Sequence, residues 1–230
     1  MRTAKTVLTV IQERGKQKKP IERVYKLLFN RELYLNAYAK LYPNNGAMTK
    51  GVTNETVDGM SIQKIDRMIE ILREEKYQWK PARREYIKKK NGKKRPLGIP
   101  VWGDKVLQEV MRQILEAYYE PQFSEHSHGF RPNRGCHTAL QEIQVWKGTR
   151  WFIEGDISQY FDTIDHKILL EILARNIHDG RFIRLVSNML EAGYLEEWKF
   201  NQTISGVPQG GVISPILANI YLNEFDNWIE

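Results

Sequence analysis

Trp151-Phe152-Ile153-Glu154-Gly155-Asp156-Ile157-Ser158-Gln159-Tyr160-Phe161-Asp162-Thr163-Ile164-Asp165-His166 is the stretch on which the reading of this 230-residue chain turns. Its first half has the composition of a short buried strand: aromatic and β-branched residues, a glycine, then an aspartate at the end. A period of two places Phe152, Glu154 and Asp156 on one face and Trp151, Ile153 and Ile157 on the other. A carboxylate closing a strand is well placed to hold a divalent cation, because rigid backbone fixes the oxygen while the next loop admits substrate. The competing role for such an aspartate is a helix cap. Asp165, just before the apolar run Ile168-Leu169-Leu170, suits that role better than Asp156 does.

Downstream, residues 166–175 and 180–191 read as two short amphipathic helices. Residues 194–204 read as an extended segment and a partner for the 151–157 strand. Gly210-Gly211 is read as backbone that approaches a ligand closely, and Ser214-Pro215 as an N-cap with proline at the first turn. Upstream, a helix over 137–147 carries Cys136 at its edge as a small buried residue. Gly129-Phe130-Arg131-Pro132 is a loop whose Arg131 and Arg134 are candidate phosphate contacts. Asp104 opens a helix with Val106, Leu107, Val110, Met111, Ile114 and Leu115 inward. From Arg83 to Pro100 alternating strands flank Asn91-Gly92, a strong hairpin signal. Lys88, Lys89, Lys90, Lys93, Lys94 and Arg95 crowd that hairpin and would repel one another without an anion across it. Nearer the N-terminus, Ser61 caps a helix, 43–60 is a long irregular stretch, and helical spacing covers Leu33 to Leu41. Pro20 is read as the first turn of a helix carrying Ile21, Val24, Leu27 and Leu28. The first 20 residues are a basic helix or arm.

Charge divides the chain. Residues 1–100 hold 24 Lys/Arg against 10 Asp/Glu, a balance of +14, whereas 101–230 hold 11 against 18, a balance of −7. A basic half joined to an acidic one points to a polyanionic partner. A hydrophobic fraction of 41% supports a real core. No apolar run reaches the ~20 residues of a membrane helix, so no membrane partner is expected. The single cysteine forbids an internal disulfide and suits a reducing compartment.

Three segments together carry a family resemblance. Asp156 to His166 is similar to the first catalytic segment of reverse transcriptases encoded by group II introns. Ser127-His128-Gly129-Phe130-Arg131-Pro132-Asn133-Arg134 resembles the block before it, and Gly206-Val207-Pro208-Gln209-Gly210-Gly211-Val212-Ile213-Ser214-Pro215 resembles the block after it. The likeness runs from about residue 20 to the last residue. It implies an α+β, right-hand polymerase fold: helix-rich fingers with a β-hairpin over most of 1–150, and a small antiparallel palm sheet within 151–230. It implies RNA-directed DNA polymerase activity by two-metal nucleotidyl transfer. Asp156 and the carbonyl of Ile157 would be ligands to Mg²⁺, of which the complete enzyme uses two. Lys89 and Arg95 match triphosphate-contacting positions, Gln209 a nucleotide-pocket position, and Phe161 the bulky residue that crowds the sugar 2′-position. Lys88, Lys90, Lys93, Lys94, Arg131 and Arg134 would touch nucleic acid. Partners implied are group II intron RNA, an RNA template with a DNA primer, and dNTPs, in a bacterial cytoplasm; a dimer is open. Two departures stand out. Thr53 occupies a position where the family carries an aspartate, and no Tyr-x-Asp-Asp occurs before Glu230, so the chain is expected to be an inactive piece of a polymerase domain. The alternative is an RNA-binding splicing cofactor of the maturase type without polymerase activity; a polymerase relative used in defence or repair is a third reading.

Overall fold

A computed structural model describes residues 3–88, 92, 94–197, 199–207 and 210–230. The chain order is α1 (Ala4–Lys16), β1 (Ile21–Glu22), α2 (Arg31–Leu41), α3 (Ile62–Arg73), β2 (Ala82–Lys88), β3 (Lys94–Ile99), α4 (Trp102–Tyr119), α5 (Cys136–Gln144), α6 (Tyr160–Thr163), α7 (His166–Asn176), β4 (Ile177–His178), α8 (Gly180–Leu190), β5 (Tyr194–Glu196), β6 (Lys199–Asn201) and α9 (Ser214–Ile229). The class is the α+β arrangement implied by the resemblance.

The fold is built around α4, whose wide apolar face covers about half of the helix and is buried throughout. Val106, Leu107, Val110, Met111, Ile114, Leu115 and Tyr118 have no exposed surface, each contributing about 1.5–3 kcal/mol by burial. Its buried polar side chains tether the surroundings. Asp104 accepts from the Tyr77 hydroxyl at 2.6 Å and from the Lys80 amide at 3.0 Å. Gln108 accepts from the Val212 amide at 2.9 Å. Glu109 pairs with Lys40 of α2 at 3.4 Å while holding Arg112 of its own helix in two hydrogen bonds of 2.7 and 2.9 Å. Against this axis α1 lies so closely that a Cβ on Gly15 would stand 2.1 Å from the Tyr118 carbonyl oxygen.

Local signals in the sequence account for most of the helices. Ser61 Oγ caps α3 by accepting from Lys64 N at 3.2 Å, and Asp165 caps α7 by accepting from Ile168 N at 3.0 Å. The basic N-terminal segment is a helix, and α9 begins with Pro215 in its first turn, although its N-cap is Ile213 rather than Ser214.

Three expectations need correction. Pro20 does not start a helix: Ile21 and Glu22 pair in parallel with Ile177 and His178, and Arg23 at φ +55° turns the chain into a 3₁₀ helix over Val24–Phe29. Cys136 is exposed at the start of α5, which buries none of its residues. Residues 151–157 form no strand. A strand needs a neighbour to complete its hydrogen bonds, and the expected neighbour is engaged elsewhere: Ala82 and Arg83 of β2 pair with Tyr194 and Leu195 of β5. Trp151 and Ile153 are accordingly 88% and 94% exposed.

The larger sheet has the order β3-β2-β5-β6. Its hairpin runs from Arg83 opposite Ile99 to Lys88 opposite Lys94, so the strands flank Asn91-Gly92 in a register one residue off that of a two-residue turn, which would set Lys88 opposite Arg95; Asn91 lies outside the described residues. The β5–β6 pair is antiparallel, and β2–β5 is parallel.

Candidate functional site

A cleft of about 740 Å³ lies where the hairpin, the segment around α6 and the turn after β6 meet. Arg84, Lys94 and Arg95 come from the hairpin, Ile157, Gln159, Tyr160, Phe161 and Asp162 from the α6 segment, and Ile204, Ser205, Gly206 and Val207 from the turn. Segments far apart in the chain, each singled out for its residue types, therefore share one wall-to-wall space.

The cleft's floor is a set of short backbone bonds. Val207 N donates to the Phe161 carbonyl at 2.7 Å, and Gly206 N to that of Ile164 at 2.8 Å. Ser205 Oγ donates to the Asp162 carbonyl at 3.1 Å. The His166 ring, through Nε2, donates to the Gly206 carbonyl at 2.7 Å. Gly206 sits at φ +87°, and a Cβ there would lie 2.8 Å from Asp162 Cα and from the carbonyl oxygens of Phe161 and Asp162. The residue is therefore glycine for two reasons: the left-handed backbone and the closeness of α6. Helix α6 is held from behind by Tyr160, whose hydroxyl donates to the Ala218 carbonyl at 2.7 Å; burial holds that phenol well above its ordinary pKa.

Phe161 is half-buried within this frame. Its ring meets Tyr160 at 5.8 Å and Phe130 at 6.3 Å between centroids, both edge to face. Phe130 is itself 73% exposed. Above them the hairpin carries its charge, with Lys94 Nζ 6.0 Å from the centre of the Tyr86 ring. The Tyr86 hydroxyl donates to Glu196 Oε1 at 2.5 Å, and this bond raises its pKa.

The remaining sequence candidates divide. Arg95 and Phe161 line the cleft together, with Lys94 beside them and the Ile157 backbone at its edge. Asp156 is exposed next to Ile157. Lys88 is exposed at the end of β2. Lys89, Lys90, Lys93 and Gln209 lie outside the described residues. Arg131 is turned inward, away from any phosphate. Its guanidinium pairs with Glu120 at 3.0 Å and donates to the carbonyls of Ser124 and Ser127 at 2.5 and 2.7 Å, because the loop's backbone acceptors would otherwise be buried unmatched. Arg134 donates to the Glu125 carbonyl. The close approach at Gly210 is likewise internal: a Cβ there would lie 2.6 Å from Leu97 and 2.7 Å from the Gly98 carbonyl.

Mg²⁺ takes hard oxygen ligands, and a pair of ions needs several carboxylates. Among the described residues no group of three or more His, Cys, Asp or Glu side chains is arranged to hold a metal ion. Asp156 and the Ile157 carbonyl, the ligands that the resemblance implies, do not by themselves fit a pair of ions. No helix among the described residues is long and apolar enough to cross a membrane.

Sequence reasoning missed Arg84, Tyr194 and His166. The signal for Arg84 was present: alternation along β2 puts it on the face of Tyr86 and Lys88.

Comparison with known proteins agrees with this geometry. Residues 87–230 match the family described as reverse transcriptase (RNA-dependent DNA polymerase). The chain is 50% identical over 209 residues to the group II intron-encoded protein LtrA of Lactococcus lactis, covering 90% of this chain and 35% of that protein. It is 47% identical over 235 residues to an uncharacterized 91 kDa protein in the cob intron of Schizosaccharomyces pombe, covering 99% of this chain and 29% of that protein. The chain thus spans about a third of the length of these relatives. A chain in the solved structure titled a partial Cas6-RT-Cas1–Cas2 complex superposes with a TM-score of 0.58 at 20% identity, over 89% of this chain and 34% of its own length. That likeness is one of fold.

Proposed function

The chain belongs to the reverse transcriptase (RNA-dependent DNA polymerase) family, and from that premise we propose that it forms the fingers and part of the palm of a group II intron-type polymerase that copies RNA into DNA. In this reading most of residues 1–150 are fingers, and 151–230 supply palm elements. The observation that carries the reading is the cleft itself: hairpin cations face Phe161 and the 204–207 turn across about 740 Å³, room for a nucleotide.

Each residue then has a part. Arg95 and Lys89 meet the triphosphate, Arg as a bidentate fork and Lys as a point charge, while Lys94, beside Arg95 in the cleft, meets nucleic acid. Phe161 presents an aromatic ring with no hydrogen-bonding group for a 2′-hydroxyl, which favours dNTPs over rNTPs, and Gln209 keeps the nucleotide-binding role that the resemblance implies. Lys88, Lys90, Lys93 and Arg134 grip template, primer or intron RNA, while Arg131 stiffens the loop that carries Arg134. Asp156 and the Ile157 carbonyl contribute to a Mg²⁺ site, where the ions when bound would activate the attacking hydroxyl and stabilise the leaving pyrophosphate. A polymerising form needs further carboxylates.

The test has two arms. Fluorescence anisotropy with labelled structured RNA should give an affinity that falls steeply with salt, and neutralising Lys88, Lys89, Lys90, Lys93 and Lys94 should weaken it and flatten the slope. Salt-independent binding would refute the reading. Primer extension on an RNA template with Mg²⁺ and dNTPs should give no product from the 230 residues alone. Product that Asp156→Ala abolishes would mean that the missing carboxylate lies among residues assigned here to structure, Asp162 or Glu154 first.

A further inference from the structure

We propose that Arg84, braced on Tyr194, is a phosphate-binding residue of the cleft. The proposal rests on the reading that the cleft takes nucleic acid or nucleotide, and adds to it a side chain that no sequence motif marks.

Arg84 lies on β2 opposite Gly98, which lines the same cleft. It lines the 740 Å³ cleft together with Lys94 and Arg95. Alternation places Arg84, Tyr86 and Lys88 on one face of β2, and the register adds Lys94 opposite Lys88. The hairpin thus presents Lys88, Lys94 and, at the cleft, Arg84.

What separates Arg84 from the other cations is how it is held. Its guanidinium carbon lies 3.5 Å from the centroid of the Tyr194 ring, a close cation–π contact. Tyr194 in turn is fixed by β5, whose register to β2 pairs it with Ala82. Yet the Arg84 Nε is buried and has no hydrogen-bond partner among the described residues. A desolvated guanidinium donor without an acceptor is costly. Arg131 shows the alternative in the same chain, a buried guanidinium whose donors are matched to Glu120 and two carbonyls. A side chain that merely packed on Tyr194 could equally be a lysine or a methionine. A guanidinium braced on a ring and lining a cleft with Lys94 and Arg95, its Nε desolvated, is instead the arrangement that offers its terminal donors to a phosphate oxygen. Two sources share that chemistry: the triphosphate of a nucleotide and the backbone of a template–primer duplex.

The experiment uses the 230-residue chain and a labelled RNA template–DNA primer duplex, titrated by anisotropy at several salt concentrations. Inorganic tripolyphosphate and dATP serve as competitors. The variants are Arg84→Gln, Arg84→Lys and Tyr194→Phe, with circular dichroism melts to verify folding. Loss of one phosphate contact should weaken duplex binding by about fivefold to tenfold near physiological salt and reduce the log–log salt slope by ~0.9. That result in Arg84→Gln assigns the residue to the duplex backbone. Unchanged duplex binding with competition by tripolyphosphate and dATP weakened to the same degree assigns it to the triphosphate. Arg84→Lys, which keeps the charge but loses the planar fork, should recover less than half of the lost affinity. Tyr194→Phe, which keeps the ring contact, should bind as the wild type. Wild-type binding that survives unchanged in Arg84→Gln, in duplex and competitor arms alike, overturns the proposal while leaving the cleft reading intact. Arg84→Lys binding fully as wild type overturns it too, and supplies the answer if Arg84→Gln does not fold. Failure of the wild-type chain to bind either probe refutes the cleft reading and this proposal with it.

Discussion

Replacing Gly206 by alanine tests whether the turn behind the cleft is held as tightly as its geometry says. At φ +87° an L-residue loses about 1–2 kcal/mol in the left-handed region. The new methyl group would also lie 2.8 Å from Asp162 Cα and from the carbonyl oxygens of Phe161 and Asp162. All three atoms are backbone, so no side chain can swing aside. Relief requires the turn to retreat from α6. That stretches the bonds from Val207 N to the Phe161 carbonyl, 2.7 Å, and from Gly206 N to that of Ile164, 2.8 Å, each worth ~1 kcal/mol. Together the loss is about 3 kcal/mol, a large part of the ~5–15 kcal/mol that holds a domain. Urea unfolding followed by circular dichroism should show it as a lower midpoint at unchanged m, with a melting temperature reduced by roughly 6–12 °C. Gly129→Ala is the control, since a Cβ there meets nothing within 4 Å; its effect should stay within ~0.5 kcal/mol. Equal effects from the two substitutions, or a neutral Gly206→Ala, would refute the argument that the turn is clamped to the backbone of Phe161.

Other outcomes follow from the same geometry. Burial pushes the Asp104 carboxyl up to about 6, against hydrogen bonds from Tyr77 and Lys80 that oppose the rise. Because the folded state then binds the proton more tightly than the unfolded chain, this contribution is complete below about pH 4 and is lost as pH rises through 6, a change of ~3 kcal/mol. Urea midpoints from pH 4 to 7.5 should show that decline in the wild type minus Asp104→Asn difference, and a flat difference would remove the buried carboxylate from the account. Gly15→Ala would place a Cβ 2.1 Å from the Tyr118 carbonyl oxygen and should lift α1 from α4 at a cost of at least ~3 kcal/mol, read as new tryptic cleavage at Arg14 and Lys16. In a polymerising form that contains these residues, Phe161→Ala should raise rNTP use relative to dNTP. An unchanged ratio would leave Phe161 as packing against Phe130 and Tyr160.

Much of this molecule is written in short-range pattern. Helical periodicity located α2, α3, α4, α7 and α8, side-chain caps at Ser61 and Asp165 located the beginnings of α3 and α7, and Asn91-Gly92 between alternating strands located the hairpin. These signals are legible because a helix turn or a hairpin is settled by residues a few positions apart. The motif order also marked Asp156, Arg95 and Phe161 as candidates before any geometry was known. Tertiary structure decided what depends on distant segments. Whether 151–157 is a strand depends on which segment offers it a ladder, and β5 pairs with β2 instead. Ile21 is drawn out of a helix by Ile177, over 150 positions away. Arg131 and Arg84 look alike as basic residues, yet Glu120 and two carbonyls take the donors of the first, while Tyr194 holds the second with its Nε unmatched among the described residues. Charge and residue type are properties of the sequence; desolvation and the supply of partners are set only when the chain closes on itself.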